Sequence, residues 1–546
     1  MNIRRFVRSV LRRLPEDRTT LALHDSFLRS PVAAVPAAGA LRVTVQCVED
    51  AYYLGLFTHL CRALNRHMPT AFELLVPRSF NAIVGAHWKQ FVVRVFPINR
   101  LYADQWVRAY GSISDRVAYR SASFRHPIGD IVDSWRSWRI CRSLRGVEAL
   151  ERLDIGGVEC GDLIIDSYLR FRPSPRVRLG DAFLVYLVWQ AHRDVRRARR
   201  YFGSVRPALF LTSYTTYIQH GIAARVALQE GVRVISFGNL QQLGKLLAVD
   251  DSFHTRNPIR YRRDFKRLEQ QHELLQEAQR QLEQRLSGGV DSATSYMAVS
   301  AYAQTRTDVP DVRDAVVVFL HDFYDSPHVY ADLVFPDFWE WVCFTVETLQ
   351  NAGIRFFLKP HPNQVALSDA VIGDLQQRYP DLDLIPSSIT NRQLVDAGMA
   401  CAVTVYGTIA HEMAYLGVPS IGCARHPHIA FDFCRTAKDR DGYAALLQES
   451  TRLPFDASGM RRQALEFYVM HNLNLSGDDV AVRDAMIMAW KVCLDPNADP
   501  YAATQTFEAL AALPGFSAFA AQAMSGLSPA RPGVKTAASA LEQEAS

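Results

Sequence analysis

Three segments in the second half of the chain combine residue types suited to holding phosphate. Phe319-Leu320-His321-Asp322-Phe323-Tyr324-Asp325-Ser326-Pro327-His328 sets two His and two Asp directly after an apolar run. Such a loop is badly placed for core packing. His321 and Asp322 suit sugar hydroxyls or phosphate, with a loop fastened by its own hydrogen bonds as the alternative. Lys359-Pro360-His361-Pro362-Asn363 follows a second strand-like run, and its prolines fix the backbone around the imidazole. Only seven of the 61 basic residues are Lys, so one beside His361 marks an anion site. A diphosphate there would find charge on Lys359, a hydrogen bond for the leaving group on His361, and Asn363 in the same turn.

The third segment runs Thr404-Val405-Tyr406-Gly407-Thr408-Ile409-Ala410-His411-Glu412. Gly407 lets backbone approach a phosphate, the Thr408 hydroxyl is expected to cap the helix that starts there, and the helix N-terminus favours negative charge. Tyr406 flanks that site, and Glu412, one turn on, is placed to hold ribose hydroxyls. In the first half, Glu49 and Asp50 close a strand, His220-Gly221 opens a helix, and Gly161-Asp162-Leu163-Ile164-Ile165-Asp166-Ser167-Tyr168-Leu169-Arg170 carries two acids and an Arg in an apolar stretch. One carboxylate among Asp162, Asp50 and Glu49 would serve as general base on an acceptor hydroxyl, ideally with a pKa raised by burial. For Asp162 the plain alternative is a helix cap. His321 is the further catalytic candidate.

One motif misleads. Ser287-Gly288-Gly289-Val290-Asp291-Ser292 matches the loop with which ATP pyrophosphatases wrap pyrophosphate, but that loop needs a buried strand before it. Leu282-Glu283-Gln284-Arg285-Leu286 is the end of a charged helix, so the segment is expected to be a turn.

These loops need a scaffold of strands and helices. Runs at 41–48, 208–212, 232–237, 315–320, 354–359, 400–405 and 418–423 are apolar or β-branched, and helical patterns at 53–64, 222–230, 338–351 and 408–416 alternate with them. Strands alternating with helices mean βαβ units and parallel sheets, whose ligands bind outside the carboxyl ends of the strands. The expected fold class is α/β, with two Rossmann-like domains facing across a cleft. Their expected ranges are 40–250 and 310–490, with a helical linker over 251–309 that includes a long surface helix at 261–286, and a disordered tail over 525–546.

The chain has 546 residues, with 61 Lys plus Arg against 56 Asp plus Glu. Five Arg (4, 5, 8, 12 and 13) lie in the first fourteen residues, leaving the rest balanced at 56 against 56. A neutral body lacks the basic surplus of a nucleic-acid binder. Ile3, Phe6, Val7, Val10, Leu11 and Leu14 form one helical face opposite those arginines, ended by Pro15. A basic amphipathic helix over 1–15 is therefore expected to lie on an anionic membrane surface. The nine Cys have neither a paired nor a zinc-like spacing and read as buried thiols of a reducing compartment. The expected location is cytoplasmic, peripheral at the inner membrane.

FLHDFYDSPH, KPHPN and VYGT–HE–LGVP together resemble bacterial glycosyltransferases of the two-Rossmann (GT-B) type that build capsule and O-antigen polysaccharides. The capsule Kdo-transferase and polysialyltransferase-like groups are the ones named by these motifs. The resemblance implies a nucleotide-sugar donor, CMP-sugar before UDP-sugar, and a glycan or lipid-linked glycan acceptor. It implies no obligatory metal or cofactor. Carried over, His361 contacts the nucleotide phosphate, Thr408 supplies the helix-start hydroxyl, and Glu412 touches ribose. The Asp/Glu-Asp/Glu-Gly element of bacterial sialyltransferases is not present. A CDP-glycerol-type glycerophosphotransferase, or a non-catalytic polysaccharide-assembly protein keeping the cleft, are the alternative readings.

Overall fold

The computed structural model describes residues 11–33, 39–79, 98–122, 126–172, 174–238, 240–248, 251, 257–291, 308–361, 364 and 366–527. The basic face of residues 1–10, Asn363 and the tail beyond 527 lie outside them. Leu14, the last residue of the apolar face expected there, packs against the first domain's core instead, and residues 12–15 are not helical.

The first domain is built on six strands: β1 (Leu41–Gln46), β2 (Thr70–Val76), β3 (Val117–Arg120), β4 (Leu209–Thr212), β5 (Arg233–Ser236) and β6 (Lys245–Leu246). Their order is β3-β2-β1-β4-β5-β6, parallel except for the last pair. β1 and β2 pair in register from Leu41↔Thr70 to Gln46↔Leu75. Asp50 caps the helix Ala51–His67 by accepting from the Tyr52 amide at 2.7 Å, so the chain turns directly from β1 into helix. That helix buries an apolar face on one side of the sheet, while helices Gly161–Phe171, Ala182–Val205 and Ile218–Gln229 cover the other.

The second domain has five parallel strands: β7 (Val316–Phe319), β8 (Phe356–Lys359), β9 (Cys401–Val403), β10 (Ser420–Gly422) and β11 (Cys434–Thr436), ordered β11-β10-β9-β7-β8. Central strands such as Val316–Phe319 are buried on both faces, which is why they read as unbroken apolar runs. The α/β class with two Rossmann-like domains expected from the sequence is the one observed.

Two expectations about organisation differ from the structure. The long helix expected at 261–286 is two, Tyr261–Phe265 and Gln271–Leu286, and the second packs Ala278, Leu282 and Leu286 onto helix Ala457–Tyr468. It belongs to the second domain instead of bridging the two. The second domain also ends before 490. Helices Gly477–Leu494, Ala502–Ala512 and Pro514–Met524 return to the first, where Val482, Met486, Phe507 and Phe516 join the core around helix Ala51–His67.

The domains are joined by polar contacts as well. His328 Nδ1 lies 2.7 Å from Asp166 Oδ1, Arg170 donates to the Tyr324 carbonyl at 3.3 Å, and Arg440 pairs with Glu148 at 3.0 Å.

Candidate functional site

In each sheet the strand order reverses once, at β1/β4 in the first and β7/β9 in the second, and loops diverging from such a point leave a crevice. The sequence-selected loops leave the carboxyl ends of these strands. His321 follows β7, Lys359 ends β8, and Tyr406-Gly407-Thr408 follow β9.

Across the β7/β9 split, His321 Nε2 lies 3.3 Å from the Thr404 hydroxyl, which also accepts from the Gly407 amide at 3.2 Å. The imidazole stacks on Phe338 at 5.2 Å and meets Tyr406 at 4.7 Å. Burial, with the nearby His361 adding to it, pushes His321 down to about 3, so it is neutral. Gly407 is needed for space: a Cβ there would sit 2.8 Å from Thr404 Oγ1 and 3.4 Å from His321 Nε2. The Thr408 side chain makes no capping bond, contrary to the expected cap, and stays exposed at the start of helix Ile409–Leu416.

Lys359 is buried, and burial lowers it to about 8 against the opposing field of Glu412. Its ammonium lies 5.8 Å from the Phe319 ring, and no ion pair joins it to a carboxylate among the described residues. Burial and Lys359 lower His361, while Asp322 opposes them. His321, Asp322, Lys359 and His361 thus share one local field. Asp322 fastens the loop by accepting from the Tyr324 amide at 3.1 Å and the Ser368 hydroxyl at 2.8 Å. Glu412 differs from its expected ribose role. One oxygen pairs with Arg285 at 2.5 Å and the other accepts from Asn391 at 3.0 Å, which leaves the carboxylate to anchor its own helix.

On the first domain, Glu49 sits just past β1. Burial raises its carboxyl to about 7, a rise only partly relieved by the Ser79 hydroxyl donating at 2.8 Å. Its Oε1 has no hydrogen-bond partner among the described residues. A carboxylate poised near neutrality with one free oxygen has the properties of a general base. Asp50 is raised by burial too, but its carboxylate is spent on the helix cap. Asp162 is corrected as the base. Burial alone would raise it, yet Arg225, bonded at 2.8 Å, outweighs burial and holds the carboxyl below its usual value. It cements helix Gly161–Phe171 to helix Ile218–Gln229. His220 is likewise inward, with Nδ1 3.1 Å from Ser213 Oγ and 3.2 Å from Gln46 Oε1, and burial drives it to about 3.

Between the two crevices lie residues that the sequence patterns did not single out. Tyr214 feels the charges of Glu49, Asp50 and Arg170, and stands 5.9 Å from Tyr217. Tyr217 has φ 65°, strained for a bulky residue, and reaches Ser326 in the second domain. Tyr406 donates to the Ser326 carbonyl at 3.2 Å, closing the path back to His321. The exposed Arg170 ending GDLIIDSYLR bears on Tyr214, Tyr217 and Asp325, and with Tyr406 was a legible sign of this wall.

His426, His428 and Cys434 bring three ligating atoms within 4.8 Å of one another. The two imidazoles stack face to face at 3.7 Å, however, so their lone pairs run side by side and do not converge on one ion. The cluster reads as neutral aromatic packing. Ser287-Gly288-Gly289 is a turn ending a helix, as its charged approach implied. No helix among the described residues is long and apolar enough to cross a membrane.

No family model and no curated protein matches the chain. Among solved structures it is similar to the β-Kdo 2,4 transferase KpsC of Thermosulfurimonas dismutans, at 11% identity and TM-score 0.30 over 48% of this chain and 79% of that one. It is also similar to the spinosyn rhamnosyltransferase SpnG, at 12% identity and TM-score 0.21 over 86% and 100%. A third is the UDP-GlcNAc 2-epimerase of Neisseria meningitidis, at 10% and 0.21 over 86% and 99%. At these scores the likenesses carry no inference about activity.

Proposed function

We propose that the chain is a glycosyltransferase that binds a nucleotide-sugar by its phosphates on the second domain and presents an acceptor hydroxyl to Glu49 on the first. The observation that carries this reading is Lys359, a buried cation at a strand's carboxyl end with no carboxylate paired to it among the described residues, beside His361 and Gly407. A buried charge without a counter-ion is costly, and an anionic ligand would supply one. Glu49 takes the acceptor proton as the acceptor oxygen bonds the anomeric carbon. The sugar–phosphate bond breaks, and the departing negative charge is stabilised by Lys359, His361 and the N-terminus of helix Ile409–Leu416. The resemblance favours a CMP-sugar over a UDP-sugar, with a lipid-linked or growing bacterial surface polysaccharide as acceptor.

A thermal-shift panel of CMP, CDP, UDP and GDP tests the donor site. A ligand at 100 times its dissociation constant adds about 2.7 kcal/mol of stability. CMP is expected to give the largest shift, and no shift with any of the four refutes the site. Product analysis then separates a glycosidic bond from the phosphodiester of a glycerophosphotransferase.

A further inference from the structure

Helix Pro127–Ser143 buries acids and exposes large apolar side chains. Its acids point inward: Asp130 and Asp133 are buried, together with Ser137. Its large apolar residues point out, with Ile128 78%, Ile131 69%, Trp135 57% and Trp138 46% exposed. This orientation is fixed by strong contacts to helix Ala182–Val205. Arg193 grips Asp130 with two bonds of 3.0 Å, Arg196 bonds Asp133 at 2.9 Å and Asp130 at 2.6 Å, and the Trp189 indole donates to the Asp130 carbonyl at 2.9 Å. Rolling the helix to hide its apolar face would strand those buried charges, so the face is held outward.

The charges left on the outer side are all of one sign. Arg136, Arg139 and Arg142 are exposed, with Arg139 4.7 Å above the Trp135 ring and Arg142 4.9 Å above that of Trp138. Aliphatic side chains, indoles and arginines on one face, without an exposed acid, match the layers of an anionic bilayer surface. Ile128 and Ile131 meet acyl chains, the indoles sit at the headgroup level, and the guanidinium groups reach lipid phosphates. At its carboxyl end the helix leads into Val147–Glu151, whose Glu148 pairs with Arg440 of the second domain. Glu148, Glu151 and Arg440 line a cavity of about 500 Å³ between the domains. The carboxyl end of the helix is thus linked through Val147–Glu151 to that cavity.

We propose that the outer face of helix Pro127–Ser143 docks the first domain on an anionic lipid bilayer, independently of residues 1–14. Vesicle binding tests this without reference to turnover, so its failure is distinguishable from failure of the glycosyltransferase reading. The full chain is co-sedimented with vesicles of phosphatidylglycerol and phosphatidylethanolamine, and with neutral phosphatidylcholine vesicles. Replacing Arg136, Arg139 and Arg142 by Gln is expected to weaken binding to the anionic vesicles on the order of a hundredfold and to flatten its salt dependence. The pair Ile131→Ser and Trp135→Ser, both at exposed positions, is expected to weaken it at least about tenfold with an unchanged circular dichroism spectrum. A chain lacking residues 1–14 keeps binding that these substitutions still reduce. The proposal is overturned if that deletion alone abolishes binding or the substitutions leave it intact. It is also overturned if they instead dissociate an oligomer in solution, which would make the face a protein interface.

Discussion

Replacing Lys359 by Met isolates what the buried cation costs and what it is for. The side chain is held at about 8 instead of 10.5, a gap worth roughly 3–4 kcal/mol at about 1.4 kcal/mol per pH unit. Below pH 8 both the folded and the unfolded chain carry the proton, so the folded protein bears the full cost. Between about 8 and 10.5 only the unfolded chain holds it, and stability rises with pH. Above that range the cost has gone. Met keeps most of the stem and removes the charge, while losing the contact with the Phe319 ring subtracts about 1 kcal/mol. The unliganded Lys359→Met protein should thus be more stable at pH 7 by about 2–3 kcal/mol, or about 4–12 °C in the midpoint of a domain of this size. The gain should vanish by pH 10.5, and nucleotides should no longer shift the midpoint. Scanning calorimetry at the two pH values, with and without nucleotide, reads all three effects. A variant less stable at pH 7, or one that nucleotides still stabilise as they do the wild type, refutes the reasoning.

Glu49→Gln should lower turnover by about 10²–10⁴-fold and erase the acid limb of the pH–rate profile, expected near 7 in the wild type. Ser79→Ala, which removes the bond that lowers Glu49, should move that limb upward; a limb that stays in place argues against Glu49 as the base. Gly407→Ala forces the Thr404 hydroxyl and His321 apart, and should weaken nucleotide binding measured by calorimetry at least about tenfold, with about 1–3 kcal/mol lost in stability. Burial would lower His328, but Asp166, Asp162 and Glu151 raise it to about 9. Its contribution to interdomain stability is therefore full below about 6.5 and lost as the pH climbs through 9. His328→Gln should flatten that dependence in denaturant unfolding; an equal deficit at pH 6 and pH 10 would count against it.

Long apolar runs such as Val316–Phe319 and Leu209–Thr212 were readable because a strand covered on both faces has no polar position to blur it. Val117–Arg120, half-buried at a sheet edge, and the three residues of Cys434–Thr436 are too short to carry a period, and neither was expected as a strand. The candidate loops were visible because each is a short motif, Lys359 beside His361 and Gly407 beside Thr408. Partnerships across the chain were not. Nothing near Asp162 announces Arg225, and nothing near Glu412 announces Arg285 and Asn391, yet those partners decide what each carboxylate is free to do. Glu49 was chosen only as one acid among three. Its distinction comes from burial and from Ser79, thirty residues away. The helix at 127–143 escaped notice because arginines are interspersed with its isoleucines and tryptophans, so no apolar stripe is legible.

The return of the last helices to the first domain sets the order in which the protein can be made. Gly55 lacks a Cβ where the Phe507 ring lies, with the nearest ring carbon 2.1 Å from the position such an atom would take. Helix Ala51–His67 is thus shaped to receive a residue synthesised some 440 positions later. At about 5–20 residues per second that interval is roughly 20–90 s. All of the second domain's strands emerge within it, so that domain can close while the first still waits with the Phe507 seat open. A truncation near residue 475 would leave the second domain whole and the first exposed and prone to aggregation, so helices Gly477–Leu494, Ala502–Ala512 and Pro514–Met524 act as the closing piece of the amino-terminal domain.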